Sequence, residues 1–191
     1  INPLPKSDFF TDVSQSANIQ IGTWEPNPAT SIPINDHSRL GFIDLDSDGY
    51  DDIVTHSLYP NPQAGIPFEH IIFRNRGDGT FEPFSEPSGL KDIQAGFFAF
   101  GDVDNDGDQD CFAGHDIQLG TSQLLLNDGQ GHFTPMPTSG LEGSLPIAGN
   151  AVFADFDGDG NLDLFIGHGH TNFAAADQLY WGAGDGTFQP D

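Results

Sequence analysis

The sequence predicts an all-β protein built from three tandem units of four short antiparallel strands. Three observations carry that reading. An aspartate- and glycine-rich nonapeptide recurs three times in register, a second Gly-rich turn follows each copy, and short apolar runs flank both. The nonapeptides start at Asp44, Asp102 and Asp155, 58 and 53 residues apart, which leaves room for four strands and their turns in each unit.

The elements follow in order. Gly41-Phe42-Ile43 leads into the first nonapeptide and Ile53-Val54 leaves it; Phe100-Gly101 and Cys111-Phe112 flank the second; Val152-Phe153-Ala154 and Leu164-Phe165-Ile166 flank the third. Downstream, the apolar runs Ile71-Ile72-Phe73, Leu124-Leu125-Leu126 and Leu179-Tyr180-Trp181 each reach a turn closed by Phe81, Phe133 or Phe188. A Gly-rich turn between apolar runs marks a hairpin. Each unit therefore reads strand, acidic loop, strand, variable connection, strand, Gly turn, strand, which is the make-up of a propeller blade. The expected blades occupy residues 38–87, 96–138 and 149–191 of one domain spanning 1–191. Phe9-Phe10-Thr11-Asp12-Val13 resembles the fourth strands at Phe81 and Phe133, so 8–14 is expected to be the outer strand of a preceding blade. Three blades are too few for a ring, which needs about four to eight. The expected fold is thus a partial, open β-propeller whose outer blade faces require further blades or self-association.

Composition agrees. Phe supplies 17 residues while Met, Cys and Trp together supply four, so one aromatic recurs at a packing position instead of a helical Leu/Ala core. The 29 acids against 5 bases give a formal charge of −24, which excludes nucleic acid and anionic membrane as partners. Of those acids 24 are Asp, and short carboxylates suit tight loops and hard cations better than a generally acidic surface would require. The lone Cys111 allows no internal disulfide, and no apolar stretch reaches membrane-spanning length. Ile1 in place of an initiator Met suggests a mature or excised segment.

Oxygens at positions one, three, five, seven and nine of such a loop can converge on one cation, with Gly at position six for the sharp turn. The side-chain ligands expected are Asp44, Asp46, Asp48 and Asp52; Asp102, Asp104, Asp106 and Asp110; and Asp155, Asp157, Asp159 and Asp163. Tyr50, Asp108 and Asn161 hold position seven, where a backbone carbonyl serves. Four carboxylates suit Ca²⁺ better than Mg²⁺, which keeps its water, so three Ca²⁺ sites are expected. An EF-hand also needs a Glu at position twelve and flanking helices; here that position is Thr55, Ala113 or Ile166 between strands. One Asp-Gly cluster alone would read as a surface turn, but three in register do not.

At these motifs the chain resembles the FG-GAP/VCBS repeat family, the blades of the integrin α-subunit propeller and of many secreted bacterial proteins, over roughly residues 38–191. The resemblance implies that each nonapeptide joins the first two strands of a blade and cages one Ca²⁺. Gly182 departs from the pattern where the sibling turns open on Asn75 and Asn127.

Other features weigh less. Arg76-Gly77-Asp78 spells an adhesion tripeptide but lies inside the shared Gly turn, so it reads as turn chemistry. His56, His115, His168 and His170 fall just past the second strands without zinc-ligand spacing. The long connections 20–36 and 57–68, bearing Trp24 and Tyr59, are candidates for ligand specificity or equally plain loops and covers for sheet edges, and Phe173 could join them. No nucleophile and base are paired within the repeats, so the expectation is no enzyme. The expected function is an integrin-like module for extracellular protein binding or adhesion with structural calcium. The alternative is a carbohydrate-binding module, or a non-catalytic part of a secreted polysaccharide-acting protein, using Trp24, Tyr59 or Trp181. Millimolar calcium sites imply an extracellular or periplasmic setting.

Overall fold

In the computed structural model, residues 11, 13–19, 37–57, 70–84, 87–90, 93, 95–115, 121–141, 148–168 and 176–191 are described. They form twelve strands in three antiparallel sheets. The first holds β1 (His37–Ile43), β2 (Asp52–Ser57), β3 (His70–Asn75) and β4 (Phe81–Pro83) in that order. The second holds β5 (Phe97–Gly101), β6 (Asp110–Gly114), β7 (Gln123–Asn127) and β8 (Phe133–Pro135). The third holds β9 (Asn150–Ala154), β10 (Asp163–Gly167), β11 (Gln178–Gly182) and β12 (Phe188–Pro190). No helix occurs among the described residues.

Each fourth strand reads Phe-x-Pro. The Phe starts the ladder, and Pro, which cannot donate to it, ends a short outer edge strand that offers little for another chain to pair with.

Side-chain alternation distributes the core. Cys111 and Ala113 of β6 face one way, toward Ile43, Leu45, Val54 and Ile72 of the first sheet. Phe112 between them faces the other way, toward Leu164, Ile166 and Tyr180 of the third. Hence β6 is buried along its whole length, as a strand packed on both faces must be. Two apolar layers therefore join three sheets.

A second device links neighbouring sheets and escapes the repeat pattern read above. The segment after the first sheet brings Ser88-Gly89-Leu90 onto the second, where the Ser88 carbonyl accepts the Phe133 amide at 2.8 Å and Leu90 is fully buried. Ser139-Gly140-Leu141 repeats this on the third sheet, with the Ser139 carbonyl 2.7 Å from the Phe188 amide. Ala17 does the same for Phe81 at 2.9 Å, followed by Asn18 at φ 58°. Of the predicted outer strand over 8–14, residues 11, 13 and 14 are described and carry no strand; the remainder lies outside the described residues. The latch needs glycine. Gly140 has φ 84°, and a Cβ there would lie 2.2 Å from the Phe188 carbonyl oxygen. Gly140→Ala is expected to destabilise the protein by about 2–4 kcal/mol in denaturant unfolding, from left-handed strain and loss of the latch bond together.

Candidate metal centre

The nonapeptides close the hairpins β1–β2, β5–β6 and β9–β10, with Ile43 paired to Asp52, Gly101 to Asp110 and Ala154 to Asp163. All three loops thus sit at the same corner of their sheets, and they touch: the Ser47 hydroxyl donates to Asp108 at 2.8 Å, and the Asn105 amide donates to Asn161 at 3.1 Å.

Within each loop the carboxylates are held by the backbone. Asp44 accepts the amides of Asp48 and Gly49, and Asp102 those of Asp106 and Gly107, at 2.9–3.1 Å. Asp155 accepts from Gly158 and Gly160. Position-six glycines Gly49, Gly107 and Gly160 have φ of 90–98°, as the sharp turn requires. Position four is left-handed as well, at Ser47, Asn105 and Gly158. Only the third copy shows that demand as a glycine, so the sequence hid it.

The position-nine aspartates have a structural duty that the sequence did not reveal. Both oxygens of Asp110 are engaged, one by the Val103 amide at 3.0 Å and the other by Asn127 at 2.9 Å. Asp52 holds Leu45 and Asn75 in the same way, and Asp163 holds Phe156 and Gly182. Each therefore pins its loop to the third strand of its sheet. Burial pushes the Asp52 and Asp110 carboxyls up to about 6, against the lowering effect of these amide bonds.

The oxygens converge. Asp44, Asp46 and Asp48 place ligand atoms within 4.8 Å of one another, as do Asp102, Asp104 and Asp110, and Asp155, Asp157 and Asp163. In the second and third loops the convergent set contains the position-nine acid, whereas in the first it does not. Asp159 and Asp106 lie outside these sets but bond the position-seven amides of Asn161 and Asp108; Asp48 does the same for Tyr50. Position three is where a cation is needed. Asp46 Oδ1 and Asp104 Oδ1 are buried without a hydrogen-bond partner, and burial raises both carboxyls. A buried, unpartnered carboxylate oxygen is costly unless a cation meets it.

The remaining sequence features resolve as follows. Arg76 of the first Gly turn pairs with Glu82 of β4 and Asp78 accepts the Thr80 amide at 2.9 Å, so the tripeptide is turn chemistry. His115 is buried against the Ser122 hydroxyl at 3.1 Å. Both ring nitrogens of His168 are buried without a partner, and no histidine joins a convergent acidic group among the described residues. His170, Trp24, Tyr59, Phe173 and the connections 20–36 and 58–68 lie outside the described residues. The turn at Gly182 keeps the closure of its siblings, with Ala183 donating to Thr187 at 2.9 Å. A Cβ at Gly182 would lie 2.1 Å from the Leu162 carbonyl, so close approach of the loop backbone excludes Asn there.

The profile of the FG-GAP-like repeat matches residues 70–113 and 102–166, together just over half of the 191 residues. The chain belongs to the FG-GAP-like repeat family. The second and third acidic loops lie inside the matched residues, and the acidic groups of all three loops could hold a metal ion. No curated protein matches the chain. Among solved structures it is similar to an Agrocybe aegerita lectin described as recognising non-reducing terminal N-acetylglucosamine, with a TM-score of 0.50 and 20% identity. The match covers 85% of this chain and 39% of the lectin chain, so the chain spans well under half the length of that protein. At this identity the likeness is one of fold.

Proposed function

We propose that this FG-GAP chain is a calcium-stabilised stretch of open β-propeller that works as a non-catalytic binding module in an extracellular or periplasmic setting. The observation that carries the calcium is the buried, unpartnered position-three oxygen of Asp46 and Asp104, set among carboxylates within 4.8 Å. Calcium, with its six to eight oxygen ligands, meets that need in the first two loops, and the third loop shares their convergent acids. The remaining ligands come from the acids at positions one, five and nine and from the carbonyls of Tyr50, Asp108 and Asn161.

The open propeller is supported by the two outermost sheet faces. Leu40 and Phe42 of β1 are 59% and 63% exposed, while their counterparts Phe98 and Phe100 in β5 pack against the first sheet. Val152 and Phe156 at the other end are 50% and 49% exposed. Such faces suit further blades or a second copy.

The ligand of first choice is an extracellular protein. A glycan is the second reading, favoured by the fold likeness to an N-acetylglucosamine-recognising lectin and by half-buried Trp181, whose indole nitrogen donates to Asp191 at 3.0 Å. The chain displayed on glycan and extracellular-protein arrays is expected to bind in calcium and to release in chelator. Retention in chelator, or turnover of a bound glycan, would overturn the proposal.

A further inference from the structure

The three loops face different residues of their third strands. Just before the strand end at Asn75, Asn127 and Gly182, the third strands carry Arg74, Leu126 and Trp181. In the first sheet alone, therefore, a guanidinium stands beside the acidic loop. Arg74 Nη2 lies 2.5 Å from Asp46 Oδ2 and 3.7 Å from Asp48 Oδ2. The Asp46 side chain is 8% exposed, and its other oxygen is the unpartnered Oδ1. Here the convergent acids are those of positions one, three and five, two of which Arg74 touches; in the sibling loops they are those of positions one, three and nine.

Resting on the calcium reading above, we propose that Arg74 is a tethered cation that competes with calcium for the first loop. Calcium entering that loop needs the Asp46 and Asp48 oxygens that Arg74 holds, and a guanidinium left beside a divalent ion is repelled by it. Arg74 must therefore swing out. Its side chain is 43% exposed, which leaves it free to move. Its cross-strand partner on β4 is Glu82, an acid, where the siblings of this pair are Thr134 and Gln189. Directly opposed residues on paired strands share a face, so Glu82, already bonded by Arg76, can receive the displaced guanidinium. The first loop then fills only at calcium levels at which the second and third are already loaded. Its occupancy reports calcium over a higher range.

Calcium titration by calorimetry on wild type, Arg74→Gln and Arg74→Lys tests this. A competing group held beside its target acts at an effective concentration in the millimolar range or above, so the first site is expected to be weaker than the others by about tenfold or more. Arg74→Gln should bring it to the strength of its siblings, while Arg74→Lys, which keeps the charge, should leave it weak. Terbium luminescence excited through Tyr50, the residue at position seven of this loop alone, assigns the weak site. Three comparable sites in wild type, or a weak first site unmoved by Arg74→Gln, would overturn the proposal while leaving the calcium reading intact. Absence of calcium binding in every loop would overturn both.

Discussion

Calcium added to chelator-treated protein is expected to raise its thermal midpoint by roughly 10–20 °C. Ligand binding to the folded state alone adds RT ln(1 + [L]/Kd), so two sites held at a hundred times their Kd contribute about 5 kcal/mol. The source of that energy is visible in the loops. Asp102, Asp104 and Asp110 bring their oxygens within 4.8 Å of one another, and Asp104 Oδ1 is buried without a partner. Metal removal leaves that repulsion uncompensated.

The pH dependence supplies a signature that a merely acidic surface would not give. In the metal-free protein, burial raises Asp52 and Asp110 to about 6, above the unfolded value of about 3.9. The folded state then binds more protons than the unfolded one over that interval. Stability from these groups is present in full below the unfolded value and is lost as pH rises through about 6. Differential scanning calorimetry in chelator should therefore show the midpoint rising as pH falls from 7 to 5. In calcium the same change should lower it, because protons compete for the ligands. An identical midpoint with and without calcium at pH 7 would sink the metal reading.

Much of this was legible in the sequence, for a reason peculiar to repeats. Three in-register copies fix strand order and loop position even where single-window propensities are weak, as in the three-residue strands that begin at Phe81, Phe133 and Phe188. Position six was legible because all copies answer its backbone demand with glycine. Position four was not, since Ser47 and Asn105 meet a left-handed φ of 56–60° without one. The latch was available as a shared Ser-Gly-Leu at 88–90 and 139–141, but an isolated glycine between loops resembles any other turn. Arg74 was visible as a departure from Leu126 and Trp181. Its meaning depended on knowing that this strand position overlooks the loop of its own sheet. The dual duty of the position-nine aspartates had no sequence signal, because the same residue serves as ligand and as backbone acceptor.

That dual duty separates two kinds of aspartate by experiment. Asp110 is fully buried and accepts the Val103 and Asn127 amides, so Asp110→Ala strands two donors in the interior and opens a gap between loop and β7. Each unsatisfied buried amide costs about 1–3 kcal/mol, which gives an expected loss of about 2–5 kcal/mol. That loss should persist in chelator, because the two amide bonds do not depend on the metal. Asp106, outside the convergent set, is exposed and accepts the Asp108 amide at 2.9 Å. Asp106→Ala should be close to neutral in chelator and should reduce stability only when calcium is present. Urea unfolding of both variants with and without calcium checks the pair. Equal losses in chelator would mean that Asp110 is no anchor, whereas a loss at Asp110 that remains in chelator beside a loss at Asp106 that appears only in calcium would show that Asp110 holds the chain as well as the ion.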